Sequence, residues 1–109
     1  MLTWVRLCSL RELEDGKPKG FNVRGRDLVA LRVGSMVYVC DRWCTHEQGD
    51  MGMGWVEGTV ITCPDHGSQF DLAKGGKNVL GPDGEPAGSV ADLHVFDVRV
   101  EGAEVNVDI

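Results

Sequence analysis

Two short motifs constrain this chain more than any other feature: C-T-H at residues 44–46 and C-P-D-H at residues 63–66, with the sixteen residues 47–62 between them. Each motif offers one thiolate and one imidazole, and the cysteine comes first in both. If the motifs lie on neighbouring loops, the thiolates meet on the inside and the imidazoles meet further out. Such an arrangement suits two metal ions with different ligands, because one ion would take sulfur and the other nitrogen.

A single structural zinc ion is the main alternative for these ligands, since zinc accepts two cysteines and two histidines in tetrahedral geometry. Zinc modules usually contribute two cysteines from one half of the site and two histidines from the other. Here each half is mixed, which favours a two-metal centre. A zinc-stapled binding module stays open as an alternative.

The spacing C-x-H followed by C-x-x-H resembles the signature of Rieske proteins, in which histidines replace cysteines on one iron of a [2Fe–2S] cluster. The resemblance implies that the chain binds one such cluster through Cys44, His46, Cys63 and His66. The cysteines would bind the inner iron and the histidines the outer one.

The pattern of apolar residues predicts an all-β protein. Alternating or β-branched runs bounded by glycine, aspartate and proline occupy residues 3–8, 20–24, 28–33, 36–41, 60–62, 69–72, 94–100 and 104–107. Gly34-Ser35 and residues 101–103 are typical of hairpin turns, and residues 9–12 carry a capping-box pattern for one helical turn. The glycines and prolines of residues 74–92 predict a long surface connection.

The resemblance to Rieske proteins adds a more specific expectation for the fold. It implies a Rieske-like fold of three antiparallel sheets in a single domain over residues 1–109. Residues 1–40 and 72–109 would form a base, and a cluster-binding subdomain would be inserted at about residues 41–71.

Size and charge limit the possible partners. The chain has 109 residues, which suits one domain, and a formal net charge of −6 without a basic stripe, which argues against a nucleic-acid partner. No stretch is apolar enough to span a bilayer and residues 1–8 do not resemble a signal peptide. We therefore expect a soluble, cytoplasmic protein with no membrane partner, in which Cys8 and Cys40 are thiols of the core.

Differences within the motifs indicate a branch of the family. Rieske proteins of respiratory and photosynthetic complexes carry an additional, disulfide-bonded cysteine in each cluster loop, at positions that correspond to Gly49 and Asp65 here. They also carry a serine and a tyrosine whose hydroxyls bond to cluster sulfur; Ser68 matches the serine, whereas Phe70 replaces the tyrosine. Apart from Ser68, the chain is most similar to soluble Rieske ferredoxins of bacterial aromatic-ring dioxygenases.

This resemblance implies a one-electron carrier rather than an enzyme. The carrier would take its electron from a flavin-containing reductase and deliver it to a terminal oxygenase, docking each partner around His46 and His66. An alternative from another class is the Rieske-like small subunit of an assimilatory nitrite reductase. The sequence argues against a catalytic oxygenase subunit, because its mononuclear iron needs two more histidines and a carboxylate, and only His94 is left.

Five residues near or beyond the motifs carry weaker expectations. We expect His94 to be structural. We expect Trp43 and Trp55 to pack in the small subdomain; the alternative is that they shield the cluster or gate contact with a partner. Pro82 and Pro86 lie in a segment that resembles the proline-containing loop covering the cluster in the family.

Overall fold

The computed structural model describes residues 4–46 and 48–109. Within these residues eleven strands form three antiparallel sheets, which confirms the predicted fold class. The strands are β1 (Trp4–Ser9), β2 (Lys19–Val23), β3 (Arg26–Val33), β4 (Met36–Asp41), β5 (Trp55–Glu57), β6 (Val60–Thr62), β7 (Gln69–Asp71), β8 (Lys77–Leu80), β9 (Val95–Phe96), β10 (Val98–Glu101) and β11 (Glu104–Asp108). The sheets have the strand orders β1-β11-β10, β2-β3-β4-β9 and β5-β6-β7-β8.

Strand β3 shows why the second sheet lies between two cores. Successive side chains of a strand face opposite sides, and here Leu28 and Ala30 join a core with β1 and β11, whereas Val29 and Leu31 join a core with the third sheet. All four are fully buried. The second core also includes Cys44 and Cys63, so both motif cysteines are anchored in packed structure rather than in an open loop.

Several local predictions are confirmed. Gly34-Ser35 joins β3 to β4, and residues 102–103 join β10 to β11. Ser9 caps the short 3₁₀ helix Leu10–Glu12 in a capping box, since its hydroxyl oxygen accepts a backbone N–H and the Glu12 carboxylate accepts the Ser9 N–H at 2.7 Å. Thr3, the first residue of the predicted range 3–8, lies outside the described residues.

The thiols of Cys8 and Cys40 lie where the sequence predicts them, one in each core. Burial raises the pKa of Cys8 to about 11 and that of Cys40 to about 12. Both therefore stay protonated at neutral pH, as expected of core cysteines.

Three strand predictions need correction. The sequence pattern did not predict β5, and β8 lies inside the segment that was expected to be a surface connection. Residues 94–100 were expected to form one strand, but the chain leaves the second sheet after Phe96 and enters the first at Val98. Asp97 marks this corner, where its carbonyl accepts the backbone N–H of Asp108 at 3.0 Å.

The third sheet extends from Trp55 to Leu80, beyond residue 71, where we had placed the end of the inserted subdomain. The division into a base and a cluster-binding subdomain stays a prediction. Among the described residues, no helix has both the length and the apolar character needed to cross a bilayer.

Candidate metal centre

The first motif lies at the tip of a hairpin-like loop. An antiparallel bridge joins Trp43 to Asp50, and the Met51 N–H donates to the Arg42 carbonyl at 2.8 Å. Closer to the tip of the loop, the Cys44 N–H donates to the Gly49 carbonyl at 2.9 Å. These contacts close a short loop that presents Cys44 and His46.

The base of this first loop is held by an ion pair. Two nitrogens of Arg42 donate to the two carboxylate oxygens of Asp50, each at 3.0 Å. The bonds to Arg42 are the main reason that the pKa of Asp50 is lowered, and the Gly52 N–H also donates to this carboxylate.

The second motif occupies the connection between β6 and β7. The Cys63 N–H donates to the Ser68 carbonyl at 2.8 Å, and the Gly67 N–H returns to the Cys63 carbonyl at 3.1 Å. Gly67 has φ +80°, a conformation that glycine adopts without steric cost. The turn presents His66 on the same end of the molecule as the first loop.

The two loops bring like residues together. The thiols of Cys44 and Cys63 hydrogen-bond to each other and are buried, at 6% and 0% exposure. The imidazole rings of His46 and His66 are exposed and lie edge to face with centroids 6.3 Å apart. The structure therefore forms the predicted pair of inner thiols and pair of outer imidazoles.

Among the described residues, no three histidine, cysteine, aspartate or glutamate side chains gather as they would around a single metal ion. Instead, the four candidate ligands form two pairs, one of thiols and one of imidazoles. It matches a centre with sulfur ligands at one end and nitrogen ligands at the other.

Two backbone N–H groups donate to the Cys63 sulfur, while burial keeps the pKa of its thiol raised, at about 11. Burial raises the pKa of its thiol, and the backbone N–H of Asp65, which donates to the sulfur, acts in the opposite direction. The neighbouring Cys44 raises the pKa further, and the His66 N–H is a second backbone donor that lowers it. Hydrogen bonds to sulfur are one of the factors that set the reduction potential of iron–sulfur centres.

The two loops approach each other closely at Gly49. A Cβ at this position would overlap the sulfur of Cys63 and lie 3.3 Å from the carboxyl carbon of Asp65. Gly49 and Asp65 are thus neighbours, as expected of positions that carry a disulfide in the respiratory proteins. All four cysteines of this chain are free.

Ser68 and Phe70 follow the second motif and are buried. The Ser68 hydroxyl oxygen is buried without a hydrogen-bond partner among the described residues. A buried hydroxyl without a partner is costly, so this one suits a site where a bound group supplies the acceptor. Together with the paired thiols, it shows that the residues present fit a [2Fe–2S] cluster.

Residues 81–92, which we call the strap, contact both motifs. The Asp83 N–H donates to the His66 carbonyl at 2.7 Å, and the Thr45 hydroxyl donates to the Ala91 carbonyl at 2.7 Å. Pro82 is buried, whereas Pro86 is exposed. The sequence did not reveal these contacts, because their partners are far apart along the chain; the threonine inside the first motif was the one available signal.

The remaining expectations have mixed outcomes. The side chains of Trp43 and Trp55 are 45% and 53% exposed, so the expectation that they pack inside the subdomain is wrong. The Trp43 indole donates instead to the Asp27 carboxylate at 3.2 Å. His94 lies edge-on against Phe96 with ring centroids 4.4 Å apart, which agrees with a structural role.

Comparison with known proteins matches residues 3–99 to the Rieske [2Fe–2S] domain. The ferredoxin component of the naphthalene 1,2-dioxygenase system of Pseudomonas aeruginosa is 29% identical over 106 residues, covering 97% of this chain and 95% of that protein. The ferredoxin of carbazole 1,9a-dioxygenase from Nocardioides aromaticivorans IC177 superposes with a TM-score of 0.82 at 30% identity, covering 96% of each chain.

A second solved structure is a complex of reduced oxygenase and oxidised ferredoxin in carbazole 1,9a-dioxygenase. One of its chains matches with a TM-score of 0.84 and 30% identity, over 97% of this chain and 93% of that one. By these matches, and by its paired thiols and imidazoles, the chain belongs to the family of Rieske [2Fe–2S] domain proteins.

Proposed function

We propose that this chain is a one-electron carrier, the ferredoxin component of an aromatic-ring dioxygenase system, with no catalytic activity of its own. The observation that carries the proposal is the arrangement of the motifs: a buried pair of thiols lies behind an exposed pair of imidazoles. The ferredoxin components to which the chain is similar over nearly its whole length support the same function.

Cys44 and Cys63 are the proposed ligands of the inner iron, and His46 and His66 those of the outer iron. When bound, the cluster supplies a one-electron couple whose potential lies at about −150 to +300 mV in Rieske centres. The buried thiols exclude water from the inner side. The exposed imidazoles provide the shortest route for an electron to a partner protein.

The proposed partners are a flavin-containing reductase and a terminal oxygenase, each docking around His46 and His66 in turn. The solved complex of a related ferredoxin with an oxygenase supports the second partner. Because one surface serves two partners, we expect weak and transient binding over a small area. We also propose a cytoplasmic location, where the reducing environment keeps Cys8 and Cys40 as thiols.

Metal analysis of the purified protein tests the cofactor and its ligands. We expect about two irons and two acid-labile sulfides per chain. Cys44→Ser and Cys63→Ser should remove the visible spectrum, whereas Cys8→Ala and Cys40→Ala, which alter the other two cysteines, should retain it. If metal analysis finds one zinc ion per chain and no sulfide, the protein is better explained as a zinc-stapled binding module.

Electron transfer tests the carrier role. The reduced protein should be reoxidised by a terminal ring-hydroxylating oxygenase, with one electron passed per chain. The relative from Pseudomonas aeruginosa is a ferredoxin component, which favours this role over a nitrite reductase subunit. Stable co-purification with a large siroheme-containing subunit, and failure to reduce any oxygenase, would favour the subunit instead.

A further inference from the structure

Asn78 is a buried polar residue that lies outside both motifs. It is 1% exposed and belongs to β8, in the sheet that carries the second motif. Its side-chain nitrogen donates to the carbonyls of Gln69 at 3.1 Å and Leu80 at 2.9 Å, and its side-chain oxygen accepts the Gly88 N–H at 2.9 Å. Both ends of the carboxamide are therefore engaged, which fixes its orientation.

An irregularity between β7 and β8 explains how one amide group reaches these partners. Phe70 pairs with Asn78 but Gln69 pairs with Leu80, so Val79 is an extra residue on β8. Bulges of this kind redirect side chains and are frequent beside functional sites. Here the bulge brings the carbonyls of Gln69 and Leu80 to the same side-chain nitrogen.

The strap depends on such hydrogen bonds because it has little buried surface. Its residues 83–89 are all exposed. The Asn78 side chain holds the middle of the strap at Gly88. The Asn78 backbone N–H donates to the Asp92 carboxylate at 2.9 Å. Val90 packs against the second core, and two further hydrogen bonds of the strap lead to the motifs, through Asp83 to His66 and through Ala91 to Thr45.

We propose that Asn78 is a positioning residue for the cluster site: its carboxamide holds the strap in place, and the strap in turn fixes the backbone of His66 and the first loop at Thr45. The inference rests on the proposed role of His66 as a ligand. Without the Asn78 side chain, the strap would lose its central attachment while its contact at Asp92 remained.

A looser strap would admit more water to the imidazole side of the site. Water stabilises the reduced centre, which carries one more negative charge than the oxidised centre, and solvent exposure is one of the factors that set the potential of iron–sulfur proteins. Loss of the Asn78 carboxamide should therefore raise the reduction potential.

The test compares the wild-type holoprotein with Asn78→Leu, which keeps the number and branching of the side-chain heavy atoms but removes the hydrogen-bonding groups. Amide hydrogen exchange of residues 83–85 and 87–90 should become about tenfold faster, as expected when the hydrogen bond that closes a local structure is lost. The iron content should be retained and the potential should rise. Thr59→Val serves as the matched control, since it removes a hydrogen bond of 2.7 Å to Asp71 in the same sheet and leaves the strap contacts intact.

Unchanged exchange of the strap in iron-loaded Asn78→Leu, or equally fast exchange in Thr59→Val, would overturn the inference. If Asn78→Leu does not fold, amide hydrogen exchange measured at single residues of the wild type tests the inference. The Gly88 amide should exchange at least about tenfold more slowly than that of Ala87. Equal rates would overturn the inference. A wild-type protein without iron would instead defeat the proposed function, so the two failures are distinguishable.

Discussion

At the scale of single residues, the Ser68 hydroxyl is the group most directly placed to tune the cluster. It is buried next to the second motif and has no hydrogen-bond partner among the described residues. Phe70, two residues later, is fully buried and offers no hydroxyl. The chain thus has the serine but not the tyrosine of the high-potential Rieske proteins, and we expect the potential to reflect that difference.

Voltammetry of Ser68→Ala and Phe70→Tyr tests these two positions. A hydrogen bond to a charged group contributes about 1.5 to 3 kcal/mol, which is about 60 to 130 mV for a one-electron couple. We expect Ser68→Ala to lower the potential by about that amount and Phe70→Tyr to raise it. The wild type should lie towards the low end of the range of about −150 to +300 mV. A wild-type value above about +200 mV would contradict assignment to the dioxygenase ferredoxins.

The sequence could predict the four candidate ligands because their chemistry and spacing are local. The same is true of Ser68, which follows the second motif by two residues. Asn78 could not be found in this way, since it lies in no motif and its partners Gln69 and Gly88 approach it only in the folded sheet. The exposure of Trp43 and Trp55 was missed because residue type alone does not tell which side of a short loop a side chain takes.

At the scale of elements, the stability of the first loop depends on the Arg42–Asp50 pair at its base. Side-chain exposures of 31% and 21% make the pair partly buried, and Arg42 also lies 5.6 Å from the Trp43 ring centroid. The Arg42 guanidinium lies over β2 as well, where a Cβ on Gly20 would come within 2.9 Å of it. The pair thus connects the loop to β2 of the second sheet.

Asp50→Asn should lower the stability of the first loop by about 1 kcal/mol at neutral pH, because the ion pair with Arg42 is lost. Since the pKa of Asp50 is lowered from its ordinary 3.8, mainly by Arg42, the stabilisation is present above pH 4 and is lost as the pH falls through the folded-state pKa. Urea-induced loss of the visible spectrum should therefore be faster in the variant at pH 7, with a smaller difference near pH 3. Glu14→Gln, which disrupts an exposed pair with Lys17, should have little effect. A difference that persists undiminished in acid would exclude this ion pair as its source.

The end of the strap depends on a glycine. Gly76 has φ +81°, and a Cβ there would overlap the carbonyl of Leu93, whose N–H donates to Gly76. Its neighbour Gly75 also has a positive φ, of +68°, but has open space around it. Substitutions at the two positions therefore distinguish the cost of backbone strain, which both share, from the cost of steric overlap, which arises only at Gly76.

Gly75→Ala should cost about 1 to 2 kcal/mol, the usual penalty for a left-handed residue with a side chain. Gly76→Ala should cost at least about 1 to 3 kcal/mol more, because the backbone of Leu93 must also move. Thermal unfolding of both variants measures the difference. Equal melting temperatures would show that the two chain segments can separate at no cost.

The elements themselves could be predicted where the chain alternates strongly. Strands β3 and β4 and their turn belong to this class, as does the capping box at Ser9. Strand β5 has only three residues and an exposed tryptophan at its start, so no alternation identifies it. Strand β8 lies between glycine-rich turns, and its pairing with β7 depends on the bulge at Val79, which local propensity does not encode.

At the scale of the whole molecule, charge is divided between the segments that carry the site and the rest. Residues 43–73 and 78–98 contain nine of the 17 acidic residues and none of the 11 lysines and arginines, so they carry −9 and the rest of the chain +3. Asp65 and Asp83 of these segments are exposed, and Asp83 contacts His66 through its backbone. Glu47 belongs to the same segments by sequence, but it lies outside the described residues. A partner that docks around His46 and His66 should therefore present a positively charged surface.

Stopped-flow oxidation of the reduced protein by a terminal oxygenase tests this charge distribution. Neutralising two acids near the site, Asp65→Asn with Asp83→Asn, should slow association at an ionic strength of about 0.01 M, where the Debye length is about 30 Å. The difference from wild type should vanish near 1 M, where charges are screened beyond about 3 Å. Asparagine also tolerates the left-handed conformation of Asp83, at φ 53°, so the strap should keep its shape. The matched control neutralises two exposed acids outside these segments, Glu14→Gln with Glu101→Gln, and should leave the rate near that of the wild type. Equal slowing in both double variants would mean that net charge alone governs the encounter and that the acids beside the imidazoles do not direct docking.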